Sequence, residues 1–307
     1  MKIINNLKIE IPDTNTYYFD LQDYSIENSD TVLIYGYDTL ENPPEILNKY
    51  KIKKYLNVTM PTEFLSDQDI FLDDRFDKIY SICPYSCDWL NKIKNTNKYE
   101  FIWYPFNKKY IPSKTEKKYD VCYHGGIHGI KHIEMLDIIK NFNYRYMSMT
   151  HGINHLTINK LNYATDLDLK NIEKLLRVSE SKISICYHNL PCYPHHVDNI
   201  KAKINWQTNE CFNQIGITND IPQLKSRFIE ASLCRTLNLV EKDNWNIIEK
   251  LYTPNEHFIY FENNNDLADK IETIINNYED YVEIIEKSFW HSYNNYCTDS
   301  LIKKINK

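Results

Sequence analysis

Short apolar runs recur through the first hundred residues: Thr31 to Tyr35 (TVLIY), Lys54 to Val58 (KYLNV), Lys78 to Ile82 (KIYSI) and Glu100 to Tyr104 (EFIWY). Each is bounded by polar segments and rich in β-branched or aromatic side chains, the pattern of strands buried in a parallel sheet. Pro43 to Tyr50 and Cys87 to Ile93 read as the helices between them, so the chain alternates β and α. The second half continues the alternation. Lys118 to Val121, Tyr144 to Met149 and Lys182 to Tyr187 read as strands, and Ile130, Ile133, Leu136 and Ile139 recur at helical spacing, as does the stretch Leu169 to Val178.

The stretch Asn219 to Glu241 reads as loop, helix, strand. Asn219 or Asp220 is a good N-cap, Pro222 suits a first turn, and Leu224, Phe228 and Ala231 follow at helical spacing before the apolar run Leu237, Leu239, Val240. Beyond it the pattern predicts a short helix over Asn244 to Leu251, a strand over Phe258 to Phe261, and a helix over Asp266 to Asn276 with Leu267, Ile271, Ile274 and Ile275 inward. Val282, Ile285, Phe289 and Trp290 give the closing segment its apolar positions. Residues 192 to 214 show no periodicity and read as a loop-rich insertion.

With 307 residues, the chain is long enough for two domains of ordinary size, and the alternation makes it α/β. The segment Tyr104 to Lys118, with two prolines and a run of charges between apolar strands, is the best boundary. The resulting division is an N-terminal domain over 1–115, a second over 116–284, and a closing helix over 285–307.

Composition narrows the chemistry. A formal charge of -6 argues against a general nucleic-acid footprint. The eight cysteines are scattered, several inside apolar runs, which fits reduced core thiols in a cytoplasmic protein better than a disulfide framework. No segment has the roughly 18 uninterrupted apolar residues of a spanning helix, and the first residues lack an apolar stretch of signal-peptide length.

Candidate chemistry gathers in two places. His124-Gly125-Gly126-Ile127-His128-Gly129 holds three of the six glycines in the chain, between a strand and a helix, where backbone amides can approach a phosphate. Lys225 and Arg227 are cations suited to an anion such as a diphosphate, and Glu230 is suited to accept hydrogen bonds from the vicinal hydroxyls of a ribose. The alternative is an amphipathic helix with ordinary surface pairs. In parallel sheets ligands bind beyond the carboxyl ends of strands, which marks Asp38, Glu41 and Glu63 as acceptor-side carboxylates. His124, His128 and His132 are four apart, but the glycines among them break the helix that would align them on a metal, so no metal site is assigned.

The run KSRFIEASLCRTLNLVE, then LYTPNEHFIYFENNNDLADKIETIINN and a Trp/His/Tyr-rich tail, resembles the C-terminal half of GT-B nucleotide-sugar glycosyltransferases, especially the branch similar to spore-maturation-type proteins. Arg227, Phe228, Glu230, Ala231, Tyr252, Pro254, Glu256, Asp266, Leu267, Lys270 and Ile271 carry the likeness, which covers residues 100 to 295 well and 1 to 99 loosely. It implies two Rossmann-like domains facing across a cleft, with transfer of a sugar from a nucleotide diphosphate donor to a glycan, protein or small-molecule hydroxyl. It further implies a retaining, metal-independent reaction with no cofactor besides the donor, and a final helix that crosses back to the first domain. Gly125, Gly126, His128, Lys131, His188, Asn189, Asp220 and Glu230 become donor contacts. Lys225 and Arg227 would then stabilise the leaving diphosphate, and Asp38, Glu41 or Glu63 would supply a base if the reaction inverts. Two positions depart from the family: Pro222 replaces a first glutamate and Arg235 a glycine. Two rival readings remain, a non-catalytic nucleotide-sugar or glycan-binding module and a transferase acting on modified DNA through Lys49, Lys51, Lys53 and Lys54.

Overall fold

The computed structural model describes residues 3–5, 15–16, 31–34, 54–57, 77–81, 84–103, 106–127, 130–149, 162–191 and 220–305. The chain forms two compact units, one of Met1–Asn107, Cys192–Gln223 and Cys297–Lys307, the other of Lys108–Pro191 and Leu224–Tyr296.

The first unit carries a sheet of β1 (Ile3–Asn5), β2 (Asn15–Thr16), β3 (Thr31–Ile34), β4 (Lys54–Asn57), β5 (Lys78–Ser81) and β6 (Tyr99–Phe101). The strands lie in the order β2-β1-β3-β4-β5-β6, and every pair is parallel. Helix α1 (Pro84–Lys94) links β5 to β6, and the Asn91 side chain both donates to the Tyr99 carbonyl and accepts from its amide, at 2.7 and 3.0 Å. The terminal helix α7 (Thr298–Ile305) is held to β6 by Lys304, whose Nζ donates to the Phe101 carbonyl at 2.8 Å and lies 3.1 Å from Glu100. The predicted helix over 43–50 lies outside the described residues.

The second unit is built on β7 (Tyr119–His124), β8 (Tyr144–Ser148), β9 (Asp166–Leu167), β10 (Ser181–Cys186), β13 (Leu237–Glu241) and β14 (Ile259–Phe261), again all parallel, in the order β14-β13-β10-β7-β8-β9. The short strands β11 (Asn189–Pro191) and β12 (Asp220–Pro222) fall before and after the segment 192–219. Helices α2 (Ile130–Ile139) and α5 (Asn264–Asn276) pack together, as do α3 (Asn171–Ser179) and α4 (Arg227–Leu233), and α6 (Val282–Asn295) packs on α4. Val121, Tyr146, Ile183, Ile185, Leu237 and Leu239 are wholly or almost wholly buried in the core. Apolar runs without alternation therefore became central strands covered on both faces.

Two predicted elements change. The helix expected from Asn219 or Asp220 begins only at Arg227, with Ser226 at the N-cap, while Asp220–Pro222 is extended. The residue before a proline is driven from the helical region, so Pro222 keeps Ile221 in a strand instead of opening a turn. The helix expected over Asn244 to Leu251 shrinks to one 3-10 turn, Ile247–Lys250, because Asn246 takes a left-handed φ of 47°. Strands β1, β2, β9, β11 and β12, each of two or three residues and too short to show a period, were not predicted.

Arg235, a position where the resemblance led to an expectation of glycine, explains how α4 ends. Its φ of 52° is left-handed, its amide donates to the Ser232 carbonyl at 3.0 Å, and the Thr236 amide donates to Ala231 at 3.0 Å. This is the Schellman arrangement, in which glycine is usual. The strained arginine is held by Glu286, 3.3 Å from Nε, and by the Phe289 ring, 3.5 Å from the guanidinium carbon.

Candidate functional site

Adjacent parallel strands β7, β10 and β13 end at the same edge of the second sheet, which brings His124, the Tyr187-His188-Asn189 segment and Glu241 to one rim. The first turn of α4 adds Arg227 and Glu230. Such rims are where open α/β sheets bind ligands, because every strand points its carboxyl end there.

Glu230 is the most charged point of the rim. Lys174 Nζ from α3 lies 3.0 Å from one carboxylate oxygen and 2.9 Å from the other, and His124 Nε2 lies 3.1 Å from the second. The histidine approaches off the hydrogen-bond axis, and its Nδ1 is buried without a partner. Burial alone would raise the Glu230 carboxyl, but Lys174 and His124 outweigh it and hold the group far below the ordinary carboxylate range. Burial pushes His124 the other way for a base, below 6.5, against the pull of Glu230. At neutral pH Lys174 is therefore the counter-ion and His124 a neutral neighbour.

Beside this cluster Arg227 is 8% exposed and stacks on Tyr123, its guanidinium carbon 4.6 Å from the ring centroid. One guanidinium nitrogen, Nη1, has no hydrogen-bond partner. Gly125, at a φ of 125°, is where the guanidinium rests: a Cβ there would sit 2.4 Å from Nη2. The backbone angle favours glycine, and a Cβ would in addition push the guanidinium aside. The Tyr123 hydroxyl donates to the Gly126 carbonyl at 2.8 Å and fixes the turn.

A second polar group lies farther along the rim. Lys131 pairs with buried Glu241, whose other oxygen lies 3.4 Å from Asn189 Nδ2. The Tyr187 hydroxyl is buried without a partner, and its ring packs 4.8 Å from His132. His188 is fully buried, and its Nδ1 accepts the Lys225 amide at 3.1 Å, tying the approach to α4 to the end of β10.

The structure thus gathers Gly125, Gly126, Lys131, His188, Asn189, Lys225, Arg227 and Glu230 around one rim. Of Asp220 only the backbone, in β12, is described, and Asp38, Glu41, Glu63 and His128 lie outside the described residues. His124, Lys174 and Glu241 were not singled out as rim contacts. His124 and Glu241 had a local signal, since each ends a strand of the sheet. Lys174 had none, because it reaches Glu230 across 56 residues of sequence. Among the described residues no three metal-ligating side chains converge, and no helix is long and apolar enough to cross a membrane.

No protein-family model and no curated protein matches the sequence. Solved structures do match. A mutant of S. aureus TarM, in complex with fondaparinux, α-GlcNAc-glycerol and UDP, aligns over 91% of this chain with a TM-score of 0.57 at 12% identity. Sucrose-phosphate synthase from Thermosynechococcus elongatus aligns over 90% of it at 0.56 and 10%. Anabaena HepE in complex with UDP-glucose aligns over 91% at 0.54 and 10%. The chain spans 55% of the length of TarM, 72% of the synthase and 77% of HepE. These neighbours are GT-B glycosyltransferases, and the fold of the chain, two parallel α/β sheets, is theirs.

Proposed function

We propose that the protein is a glycosyltransferase that moves a sugar from a nucleoside diphosphate donor to an acceptor hydroxyl. The observation that carries the reading is Glu230: an ionised carboxylate at the carboxyl rim of a parallel sheet, one helical turn from a buried arginine with a free nitrogen. Glu230 accepts the ribose hydroxyls, and Lys174, which now holds both its oxygens, moves aside or shares them. Arg227, Lys225, Lys131 and the Gly125-Gly126 amides face the diphosphate, where fixed cations lower the cost of the charge that grows on the leaving group. With those cations in place no metal is assigned to the reaction. Asn189 and the end of β10 meet the base. The unit of residues 1–107 supplies the acceptor side, with Asp38 or Glu63 as base in an inverting reaction. Retention, in which the leaving phosphate itself takes the acceptor proton, is the preferred course. The likeness to the spore-maturation-type branch, the bound UDP of the TarM complex and the bound UDP-glucose of HepE support this reading. A cytoplasmic location accords with the scattered, buried thiols.

One observation favours a second reading. Glu230 is already saturated by Lys174, which is how a purely structural carboxylate would look, so the protein would then bind without turnover. Thermal unfolding with UDP, GDP, CMP and their sugar conjugates tests the binding that both readings require, and turnover separates them. A ligand at a hundred times its Kd adds about 2.7 kcal/mol. We expect one nucleotide to raise the unfolding midpoint of the wild type and not that of Glu230→Ala, each measured against its own unliganded midpoint. NMR of the anomeric proton during incubation with the stabilising sugar nucleotide then reports turnover and stereochemistry. Stabilisation by no nucleotide overturns the proposal.

A further inference from the structure

The second unit holds another polar-aromatic region that shares no residue with the Glu230 rim. An open groove of about 430 Å³ lies along α6 and the turn before β14, lined by Trp290, His257, His291, Glu283, Glu286 and Lys287 among others. We propose that this groove is a carbohydrate-binding site, independent of any nucleotide, in which Trp290 stacks on a neutral sugar ring while His257 and His291 read its hydroxyls.

Trp290 is 52% exposed although it belongs to a well-packed helix. Phe289 and Tyr293 meet it edge-on, with centroids at 5.1 and 5.6 Å and interplanar angles of 80° and 76°. The indole is therefore braced by its neighbours while much of its surface stays in water. A rigid aromatic surface costs little conformational entropy when a ring is laid on it.

The two histidines are the same Nε2–H tautomer, each set by the backbone, but the backbone engages opposite nitrogens. His257 Nδ1 accepts the Thr253 amide at 3.0 Å, so the proton of the neutral ring is on Nε2, a donor. His291 Nε2 lies 2.8 Å from the Leu251 carbonyl, which can only accept, so Nε2 carries the proton and Nδ1 is an acceptor. Their ring centroids are 4.6 Å apart. The backbone thus leaves His257, which is 8% exposed, one donor and His291 one acceptor, and a sugar hydroxyl can both give and take a hydrogen bond.

Charge selects the ligand class. Glu283 is paired with Lys287 at 2.7 Å, and Glu286 with Arg235 at 3.3 Å and Lys114 at 3.5 Å. Opposite charges cancel along the rim of the groove, which leaves little net field to draw an ion and favours a neutral polyhydroxyl compound. The inference does not depend on the nucleotide-sugar reading, since the probes below carry no nucleotide.

The test is a titration of the intact chain with maltotriose, cellotriose and triacetylchitotriose, each to its solubility limit, following the indole N–H resonances of its five tryptophans by NMR. Trp290 is assigned by its absence in Trp290→Phe. At least one saccharide should move the Trp290 signal saturably, with equal affinity in Glu230→Ala. Trp290→Ala should weaken that affinity roughly tenfold, the loss of one stacking contact, measured by the other affected resonances or by calorimetry. Trp290→Phe should weaken it less. No movement of the Trp290 signal with any of the three overturns the proposal and leaves the groove to a macromolecular partner. Binding that survives Trp290→Ala but is lost in Glu230→Ala overturns it too, by placing the sugar at the other rim.

Discussion

The Glu230 rim and the Trp290 groove each combine histidine, carboxylate and aromatic groups within one α/β unit, yet they solve opposite problems. At the rim, charge is buried: His124, Arg227 and Glu230 are 2%, 8% and 14% exposed in residue or side chain, and their ionisation depends on one another. Along the groove, charge is paired in water and the tautomers are set by backbone groups. In a low dielectric every missing partner is costly, whereas at an exposed site pairs are worth about 0–1 kcal/mol. A buried, mutually dependent site is therefore expected to lose much stability when one member is removed, and an open one to tolerate the loss.

The strongest way to break this contrast is Gly125→Ala. The added methyl meets the Arg227 guanidinium at 2.4 Å and the backbone must hold a φ of 125°. About 2–4 kcal/mol of stability should be lost, with any nucleotide-induced stabilisation, as measured by urea unfolding with and without UDP. A variant as stable as the wild type would show that the cradle is soft and that the rim is not built as described.

Acidification sharpens the comparison at intermediate size. The folded pKa of Glu230 is depressed, so its contribution to stability is present above the unfolded value near 4.5 and lost as pH falls through that value and below. His124 is also depressed: below 6.5 the unfolded chain takes up a proton that the folded chain resists, so stability again falls with pH. Unfolding free energy should therefore decline from about pH 6.5 downward. Glu230→Gln should cost about 3 kcal/mol at pH 7, because it leaves Lys174 with an uncompensated charge, and should flatten the part of the curve below pH 4.5. An unchanged acid limb in that variant would mean that Glu230 is not coupled to Lys174 and His124 in solution.

The smallest effect belongs to the groove. Trp290→Ala removes a half-exposed side chain and should shift the unfolding free energy by no more than about 0.5 kcal/mol, read from urea unfolding. A loss of several kcal/mol would make Trp290 a structural residue and erase the distinction.

Much of this architecture is legible in particular residues. The runs ISIC and LNLV in β10 and β13 are too apolar for a surface strand, and Leu267, Ile271 and Ile274 place the buried face of α5 correctly. The scarce glycines pointed to Gly125, and the RFIEA run to Arg227 and Glu230. The start of α4 was misread because a good capping residue and a proline look alike whether they open a helix or precede one in a strand. Arg235 looked like a departure from the family pattern, although its backbone keeps the left-handed conformation that glycine favours.

The alternation of strands and helices and the helical turn that holds Arg227 and Glu230 are written locally, because periodicity and local sterics act within a few residues. What those side chains meet depends on the packing of distant segments. Lys174 reaches Glu230 over 56 residues and Lys117 caps the carbonyls of Ser179, Ser181 and Arg235 from as far as 118 away. The pairing of His257 with His291 likewise exists only because α6 lies against the turn before β14. Charge, tautomer and free hydrogen-bonding capacity depend on distances of a few ångströms between segments remote in sequence, and no local pattern encodes them.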